Sequence, residues 1–240
     1  GGCVMADDLL RVEGLCAGYG ASQVLEHLSF SMNHESVSIV GRNGMGKTTL
    51  CNTLMGLVKS SAGEVTFAGD RIDGLNPEQV ARRGIAYIPQ GRRLFPSLSV
   101  DEHLSMLAKG TRGKRWTPAA VYELFPRLAE RRKNGGAELS GGEQQMLAVG
   151  RALLLNASLY LMDEPSEGLA PTIVDDLIGV VHQLVREGSA VLIVEQNLRA
   201  ATSMAQRQLI MVSGRIEHET TASELAENTE LQRQYLGVDA

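Results

Sequence analysis

The segment from residue 41 to residue 49 has the residue types and spacing that bind phosphate. Its sequence is Gly-Arg-Asn-Gly-Met-Gly-Lys-Thr-Thr, which matches GxxxxGK[ST] between a predicted strand and a predicted helix. Glycines allow backbone N–H groups to converge on phosphate oxygens, and the helix N-terminus adds partial positive charge. We expect Lys47 to reach the β- and γ-phosphates of ATP and the Thr48 hydroxyl to bind Mg²⁺. The predicted phosphate-binding residues are Gly41, Asn43, Gly44, Gly46, Lys47, Thr48 and Thr49.

Two consecutive carboxylates end another apolar segment of strand length. Asp163 follows the apolar residues 159–162, and Glu164 comes next. Asp163 can hold Mg²⁺ through water, and Glu164 can polarise the water that attacks a phosphate. A solvated turn would show the same pair of acids. The phosphate-binding loop upstream favours the catalytic interpretation, because the two strand ends should meet at the carboxyl edge of a parallel sheet.

A second candidate contact to phosphate lies in the string Leu-Ser-Gly-Gly-Glu-Gln-Gln at 139–145. Ser140 and Glu143 have the spacing of a capping box. Gly141 and Gly142 in the first helical turn leave N–H groups exposed toward an anion. An ordinary capping box would explain only part of this string, which follows the phosphate-binding loop by about 90 residues.

The elements that position these residues follow from the hydrophobic pattern. Strands are predicted at 37–40, 64–68, 85–88, 159–163, 191–194, 209–212 and 215–217. Helices are predicted at about 46–58, 76–83, 118–125, 140–155 and 171–187, with further helices beginning at capping boxes at Ser99 and Thr221. The alternation indicates an α/β fold with a largely parallel sheet. The strand signal disappears between 99 and 155, which indicates a helical insert.

Composition restricts the class of protein. The 240 residues are 43% hydrophobic and only 4% aromatic, so a core must be built from aliphatic side chains. The net charge of −5 argues against a nucleic-acid partner, since such binding requires a basic surface. Cys3, Cys16 and Cys51 lack zinc-ligand spacing, so we expect free, buried thiols. No stretch approaches the ~18 apolar residues of a spanning helix, and residues 1–8 do not resemble a signal peptide. We therefore predict a cytoplasmic protein.

Together these motifs resemble the ATP-binding subunits of ABC transporters over nearly the whole chain. The resemblance implies a P-loop NTPase core, with a mostly parallel sheet and an antiparallel β subdomain, plus an inserted α-helical subdomain. One nucleotide-binding domain would span 1–240, with its core at about 6–90 and 156–220. The helical subdomain would span about 91–155 and a C-terminal helix about 221–236.

The same resemblance assigns further site residues. Tyr19 occupies the place of an aromatic residue that stacks on adenine, and Gln90 that of a glutamine that senses Mg²⁺ and the γ-phosphate. Gln196 stands where the family usually has histidine; it can hydrogen-bond a phosphate but cannot carry a proton at neutral pH. Ala170 stands where the family usually has aspartate. The implied catalytic residues are Lys47, Glu164 and Gln196, and the implied metal-binding residues are Thr48, Gln90 and Asp163.

In this family the segment that corresponds to residues 139–145, the signature segment, closes in one subunit over the nucleotide held by another. The resemblance therefore implies a second ABC ATPase subunit, in a homodimer or heterodimer, with Ser140, Gly141 and Gly142 acting in trans. Other strings are similar to one branch of the family, namely those at 91–96, 167–171, 194–197 and 235–238. That branch contains the smaller ATPase of bacterial importers for branched-chain amino acids and related amides or urea. It implies transmembrane permease subunits, an indirectly coupled solute-binding protein and a place on the inner face of the membrane.

Two other functions remain open from the sequence. An ABC-type ATPase of translation or chromosome maintenance would share the motifs, although the chain carries one set of them and no sustained heptads. A weakly hydrolysing regulatory subunit is suggested by Gln196 and Ala170. The surface that docks a permease is expected between Gly91 and Ala108. Its wall would be formed by Arg92, Arg93, Leu94, Phe95 and Leu98, unless Phe95 and Leu98 belong to the core of the helical insert.

Overall fold

The computed structural model describes residues 8–109 and 114–236. The strands are β1 Leu10–Tyr19, β2 Ser22–Met32, β3 Ser36–Val40, β4 Ser60–Phe67, β5 Asp70–Arg71, β6 Ile85–Ile88, β7 Leu159–Asp163, β8 Ala190–Glu195, β9 Arg207–Val212 and β10 Arg215–Thr221. The helices are α1 Lys47–Leu54, α2 Pro77–Arg82, α3 Val100–Ser105, α4 Pro118–Leu124, α5 Pro126–Glu130, α6 Gly141–Leu153, α7 Pro171–Arg186, α8 Leu198–Met204, α9 Ala222–Glu227 and α10 Thr229–Leu236.

Two sheets organise the chain. Six strands form a sheet in the order β10-β9-β3-β8-β7-β6, in which only the β9–β10 pair is antiparallel. A second, antiparallel sheet has the order β2-β1-β4-β5. The predicted fold class, a mostly parallel core with antiparallel β structure, is confirmed. Asp163 pairs with Val194 and Val40 with Glu195, so the carboxyl ends of β3, β7 and β8 lie at one edge.

The parallel strands are apolar on both faces because each face has its own core. Alternate side chains of a strand point to opposite sides of the sheet. On β8, Val191 and Ile193 join the core beneath α6 and α7. Leu192 and Val194 join the core formed with α1 and the antiparallel sheet. The continuous apolar strings that predicted these strands thus reflect burial on two sides.

The helices α3, α4, α5 and α6 follow β6 and precede β7. No strand occurs in 91–109 or 114–155, the described part of this region. Ser99 and Ser140 each accept a hydrogen bond from the backbone N–H three residues later, and Glu102 and Glu143 complete the boxes. The predicted starts of these two helices are confirmed. No helix of the described residues is long and apolar enough to cross a membrane.

Several predicted boundaries are wrong. The strand predicted at 215–217 runs from Arg215 to Thr221. The helix after the phosphate-binding loop ends at Leu54 rather than at 58, because Gly56 adopts a left-handed φ of 71°. The strand predicted at 64–68 runs from Ser60 to Phe67 and contains Gly63, where a Cβ would lie 2.5 Å from a carbonyl of β1. The single C-terminal helix predicted at about 221–236 is two helices, since the chain breaks at Asn228, whose side chain accepts from Leu231 N.

Two cysteines follow the prediction. Cys16 and Cys51 are free and buried, and burial raises the pKa of the Cys51 thiol well above its usual value. Both therefore behave as small core residues. Cys3 and residues 237–238 of the predicted C-terminal string lie outside the described residues.

Candidate active site

The phosphate-binding loop connects β3 to α1, and glycine determines its path. Gly44 and Gly46 have φ angles of 82° and 103°, in the left-handed region that strains other residues. A Cβ atom on Gly41 would lie 2.5 Å from the carbonyl oxygen of Met211. Larger residues here would displace the loop from the N-terminus of α1, where the predicted phosphate contacts lie.

Lys47 begins α1, and its ammonium group is held inside the loop. Its Nζ donates to the carbonyl oxygens of Gly41 at 2.8 Å and Arg42 at 3.1 Å. The same atom lies 3.2 Å from Glu164 Oε1, and the two side chains are only 4% and 11% exposed. The predicted phosphate ligand and the predicted base are therefore an ion pair in this conformation.

Asp163 ends β7 and is almost fully buried, at 1% exposure. The Thr48 hydroxyl lies 3.1 Å from its Oδ1, and the Tyr87 hydroxyl lies 3.1 Å from its Oδ2. Burial raises the pKa of Asp163, while the hydrogen bonds from Tyr87 and Thr48 oppose that rise. The register of β7 beside β8, which pairs with β3, brings this carboxylate to the phosphate-binding loop, as its place at a strand end predicted.

The donor set at Thr48 and Asp163 fits Mg²⁺. This ion prefers oxygen ligands and usually binds through one or two carboxylates together with substrate phosphates. In the described part of the chain no group of three or more His, Cys, Asp or Glu could hold a metal ion. Mg²⁺ held by two side chains would take its remaining ligands from phosphate oxygens and water. The metal contact predicted for Gln90 would use its Oε1 atom.

Glu164 is held in a backbone conformation that non-glycine residues seldom adopt, with φ 47°. Its N–H donates to Val194 O of β8 at 2.9 Å. Its carboxylate accepts from Gln90 Nε2 at 3.2 Å, and the same amide donates to Glu167 at 2.9 Å. Such left-handed residues cost of order 1–3 kcal/mol and cluster at functional sites. The turn directs Glu164 toward Lys47 instead of into solvent.

A cleft of about 320 Å³ collects most of the predicted phosphate and metal residues. It is lined by Asn43, Gly44, Gly46, Lys47, Thr48, Thr49, Gln90 and Glu164, together with Val24 and Glu167. Backbone amides, one ammonium group and two carboxylates thus surround a space suited to a phosphate chain. The arrangement provides charge stabilisation and a base, which phosphoryl transfer to water requires.

Seven predicted residues are not among those that line this cleft. Gly41 and Asp163 lie next to it, since they are hydrogen-bonded to Lys47 and Thr48. Tyr19 ends β1 and is 53% exposed. Gln196 is exposed and lines a neighbouring cleft of about 340 Å³ that also contains Glu164. Ser140, Gly141 and Gly142 form the N-terminus of α6. A Cβ on Gly142 would lie 2.9 Å from a side-chain carbon of Ile173 in α7, which explains glycine at this position.

Three residues at the site were not predicted. Tyr87 and Glu167 contact Asp163 and Gln90 as described above. Glu195, at the end of β8, is 2% exposed and lies between the loops that follow β7 and β8. A charged residue directly after the apolar string 191–194 was the available signal. Asp163 follows an apolar string in the same way, so the reasoning that identified Asp163 at the end of β7 also applies to Glu195 at the end of β8.

The segment predicted to dock a permease is partly exposed. Phe95 is 48% exposed and therefore not a core residue, which makes that alternative wrong for Phe95. Its ring stacks on His103 at 5.9 Å. His103 is buried, accepts from Phe95 N at 3.0 Å and lies 2.9 Å from Ser99 O. Beside it runs a groove of about 240 Å³ lined by Tyr87, Pro89, Arg92, Arg93, Leu107, Ala148, Arg151, Ala152 and Leu155.

Known proteins are similar to this chain in sequence and in architecture. Residues 25–167, more than half of the chain, match the family described as ABC transporter. The chain is 39% identical, over 95% of its length and 100% of the relative's, to the high-affinity branched-chain amino acid transport ATP-binding protein BraG of Pseudomonas aeruginosa. It is 33% identical to the lipopolysaccharide export system ATP-binding protein LptB of Haemophilus influenzae, over 95% and 97% of the two chains. A nucleotide-free ATP-binding cassette from an ABC transporter superposes with a TM-score of 0.83 at 25% identity, covering 98% of this chain and 100% of that one.

Proposed function

Because the chain belongs to the ABC transporter family and is an ATP-hydrolysing subunit of it, we propose that it energises uptake of branched-chain amino acids or related small amides. The observation that carries the hydrolytic part is the cleft lined by Lys47, Thr48 and Glu164, with Asp163 hydrogen-bonded to Thr48 at 3.1 Å. The solute class is supported by 39% identity to a transport ATPase for branched-chain amino acids. It is supported also by the strings at 167–171 and 194–197.

In the proposed reaction, the loop amides and Lys47 bind the β- and γ-phosphates, and Tyr19 stacks on the adenine. Thr48 and Asp163, with Gln90, would hold Mg²⁺, which supplies charge neutralisation on the phosphate oxygens. Glu164 takes a proton from water while the water oxygen bonds to the γ-phosphorus and the bond to ADP breaks. Its ion pair with Lys47 must open for this step, since the ammonium group is needed by the phosphates.

The remaining predicted contacts belong to a dimer. Ser140, Gly141 and Gly142 lie at a helix N-terminus outside the cleft, where they would meet the nucleotide of a second ABC ATPase subunit. Gln196 would hydrogen-bond the γ-phosphate from the neighbouring cleft without carrying a proton. In this proposal the whole chain acts as one nucleotide-binding domain, with a core at about 6–90 and 156–220 and a helical subdomain at about 91–155.

The groove beside Phe95 is proposed as the contact with a transmembrane permease. Arg92 donates to Gln144, and Arg151 donates to the carbonyl of Arg93. Within residues 8–109 and 114–236, none of these three arginines forms an ion pair with a carboxylate. A permease segment with an acidic side chain among apolar ones would complement the groove. Such docking would hold the chain at the cytoplasmic face of a membrane, with a solute-binding protein acting on the permease.

Lipopolysaccharide export is the second candidate function, and it rests on 33% identity to LptB. An export ATPase would need the same phosphoryl-transfer chemistry, so the hydrolytic cleft does not distinguish the two functions. Amino-acid import is favoured because the identity to BraG is higher, at 39%. The permease subunits, rather than this chain, would distinguish the two solutes.

The proposal is tested by purifying the tagged chain from native membranes in mild detergent and identifying the copurified proteins. The complex is then reconstituted in vesicles with radiolabelled leucine, valine or urea. We expect multi-span membrane proteins and ATP-dependent accumulation of label, abolished in the matched Glu164→Gln complex. Copurified lipopolysaccharide export components would favour the second candidate. Ribosomal or nucleic-acid proteins in place of membrane proteins would overturn the transport assignment.

A further inference from the structure

Glu195 is a buried carboxylate for which the proposed reaction has no use. It ends β8 and is 2% exposed. Its Oε1 accepts from Ser166 N at 3.0 Å. Its Oε2 accepts from Gln196 N at 3.0 Å and Asn197 N at 3.1 Å. Three backbone N–H groups from two different loops thus converge on one side chain.

The two loops lead into different helices, α7 and α8. Ser166 belongs to the turn that follows Glu164 and leads through Ala170 into α7. Gln196 directly follows β8, and Asn197 caps α8 by accepting from Ala200 N. Glu164, Ser166 and Gln196 line the same cleft as Glu195. Among the described residues, no basic side chain forms an ion pair with Glu195.

Alternatives for this carboxylate are weaker. A buried carboxylate with no cationic partner is costly unless hydrogen bonds satisfy it, and here both oxygens are used on backbone amides. A side chain that merely filled space at a strand end would be apolar, as residues 191–194 are. An acceptor with two separated oxygens is what one side chain needs to bind two loops at once.

We propose that Glu195 is a positioning residue that couples the loop after Glu164 to the loop carrying Gln196. Because of this coupling, the base Glu164 and the γ-phosphate contact Gln196 reach their catalytic positions together. The inference rests on the proposed function, because it assigns roles in hydrolysis to both loops. Glu195 itself touches neither water nor phosphate in this scheme. It acts through the backbone positions of Ser166 and Gln196, and its loss should lower kcat rather than weaken ATP binding.

The sharpest variant is Glu195→Gln, which keeps the shape but turns one acceptor into a donor. The amide oxygen can still accept from Gln196 and Asn197, whereas its NH₂ group would face the N–H of Ser166. Glu123→Gln is the matched control, since Glu123 is exposed on α4. In the full chain with its copurified partners, we expect kcat to fall by about 10- to 100-fold, with KM for ATP within about twofold of wild type.

Two further measurements separate positioning from simple loss of structure. In a double-mutant cycle, Gln196→Ala should cost much less in the Glu195→Gln background than in wild type. Amide hydrogen exchange should be faster at both Ser166 and Gln196, while circular dichroism shows an intact fold. If Glu195→Gln does not fold, Glu195→Asp, which keeps the charge but shortens the reach, is read in the same assays.

The outcomes are distinct. The role of Glu195 would be overturned if the two substitutions lowered kcat by independent factors that multiply in the double variant. It would also be overturned if amide hydrogen exchange were unchanged in either loop. Both results would leave the hydrolytic function intact. An equal rise in KM and fall in kcat would also overturn the role of Glu195. A wild-type complex that shows no turnover would refute the proposed function, and the exchange measurement would still decide whether Glu195 joins the two loops.

Discussion

Glu164→Gln should change ATP affinity as well as hydrolysis, because Glu164 competes with phosphate for Lys47. The two charged atoms lie 3.2 Å apart, which corresponds to about 5 kcal/mol of attraction at an effective dielectric constant of about 20. Desolvation offsets much of this, so the net contribution should be about 1.5–3 kcal/mol, as for other hydrogen bonds to charged groups. A bound nucleotide must break the ion pair between Lys47 and Glu164. A variant that lacks this ion pair should therefore bind ATP about 10- to 100-fold more tightly.

The assay is equilibrium titration of the full chain with ATP, together with steady-state turnover. Glu167→Gln is the control, since Glu167 lines the same cleft and contacts the same Gln90 amide but is not paired with Lys47. We expect Glu164→Gln to lower kcat by about 10²- to 10⁴-fold, the range for a general base, and Glu167→Gln to retain most turnover. Equal tightening in both variants would mean that general charge in the cleft, and not the ion pair, opposes ATP; the reasoning above would then be refuted.

Three other predictions concern packing, pH and docking. Gly142→Ala should destabilise the chain by about 1–3 kcal/mol through overpacking against Ile173, and Ile173→Ala should relieve much of that loss in the double variant, as measured by urea unfolding. Burial lowers the pKa of His103 in the folded chain, so its contribution to stability is present above about pH 6.5 and is lost as the pH falls through the folded-state pKa; unfolding free energies at pH 7.5 and 5.5 should differ less in His103→Gln than in wild type. Phe95→Ala should reduce copurification of membrane subunits at unchanged ATP affinity, whereas Leu57→Ala, which removes another exposed side chain, should not.

Much of the cleft could be predicted because it depends on local pattern. Glycine spacing determines the phosphate-binding loop, and an apolar string that ends in Asp163 marks a buried strand reaching the sheet edge. Capping boxes at Ser99 and Ser140 are contained within four residues. Each of these signals needs no knowledge of distant contacts. The structure places Lys47, Thr48, Asp163 and Glu164 together, as the parallel sheet required.

The unpredicted features depend on residues far apart in the sequence. Glu195 acquires its partners only when β7 and β8 are neighbours. The strands β1 and β2 were not predicted individually, since exposed polar residues and bulges interrupt their alternation. The strand predicted from residue 64 begins before Gly63, whose left-handed φ serves a close approach to β1. Backbone proximity of this kind leaves no periodic trace in the sequence.

The two-sided burial of the central strands has a mechanical consequence. Every residue of β8 is buried, with Leu192 and Ile193 facing different cores, so this strand cannot shift without disturbing packing on both sides at once. The sheet is therefore stiff under any force that passes between the phosphate cleft and the groove beside Phe95. Any movement passed from one to the other must be carried by hinges in the loops at the strand ends. Gln90, just after β6, lines the cleft, and Arg92, two residues later, lines the groove, so this loop connects the two sites directly.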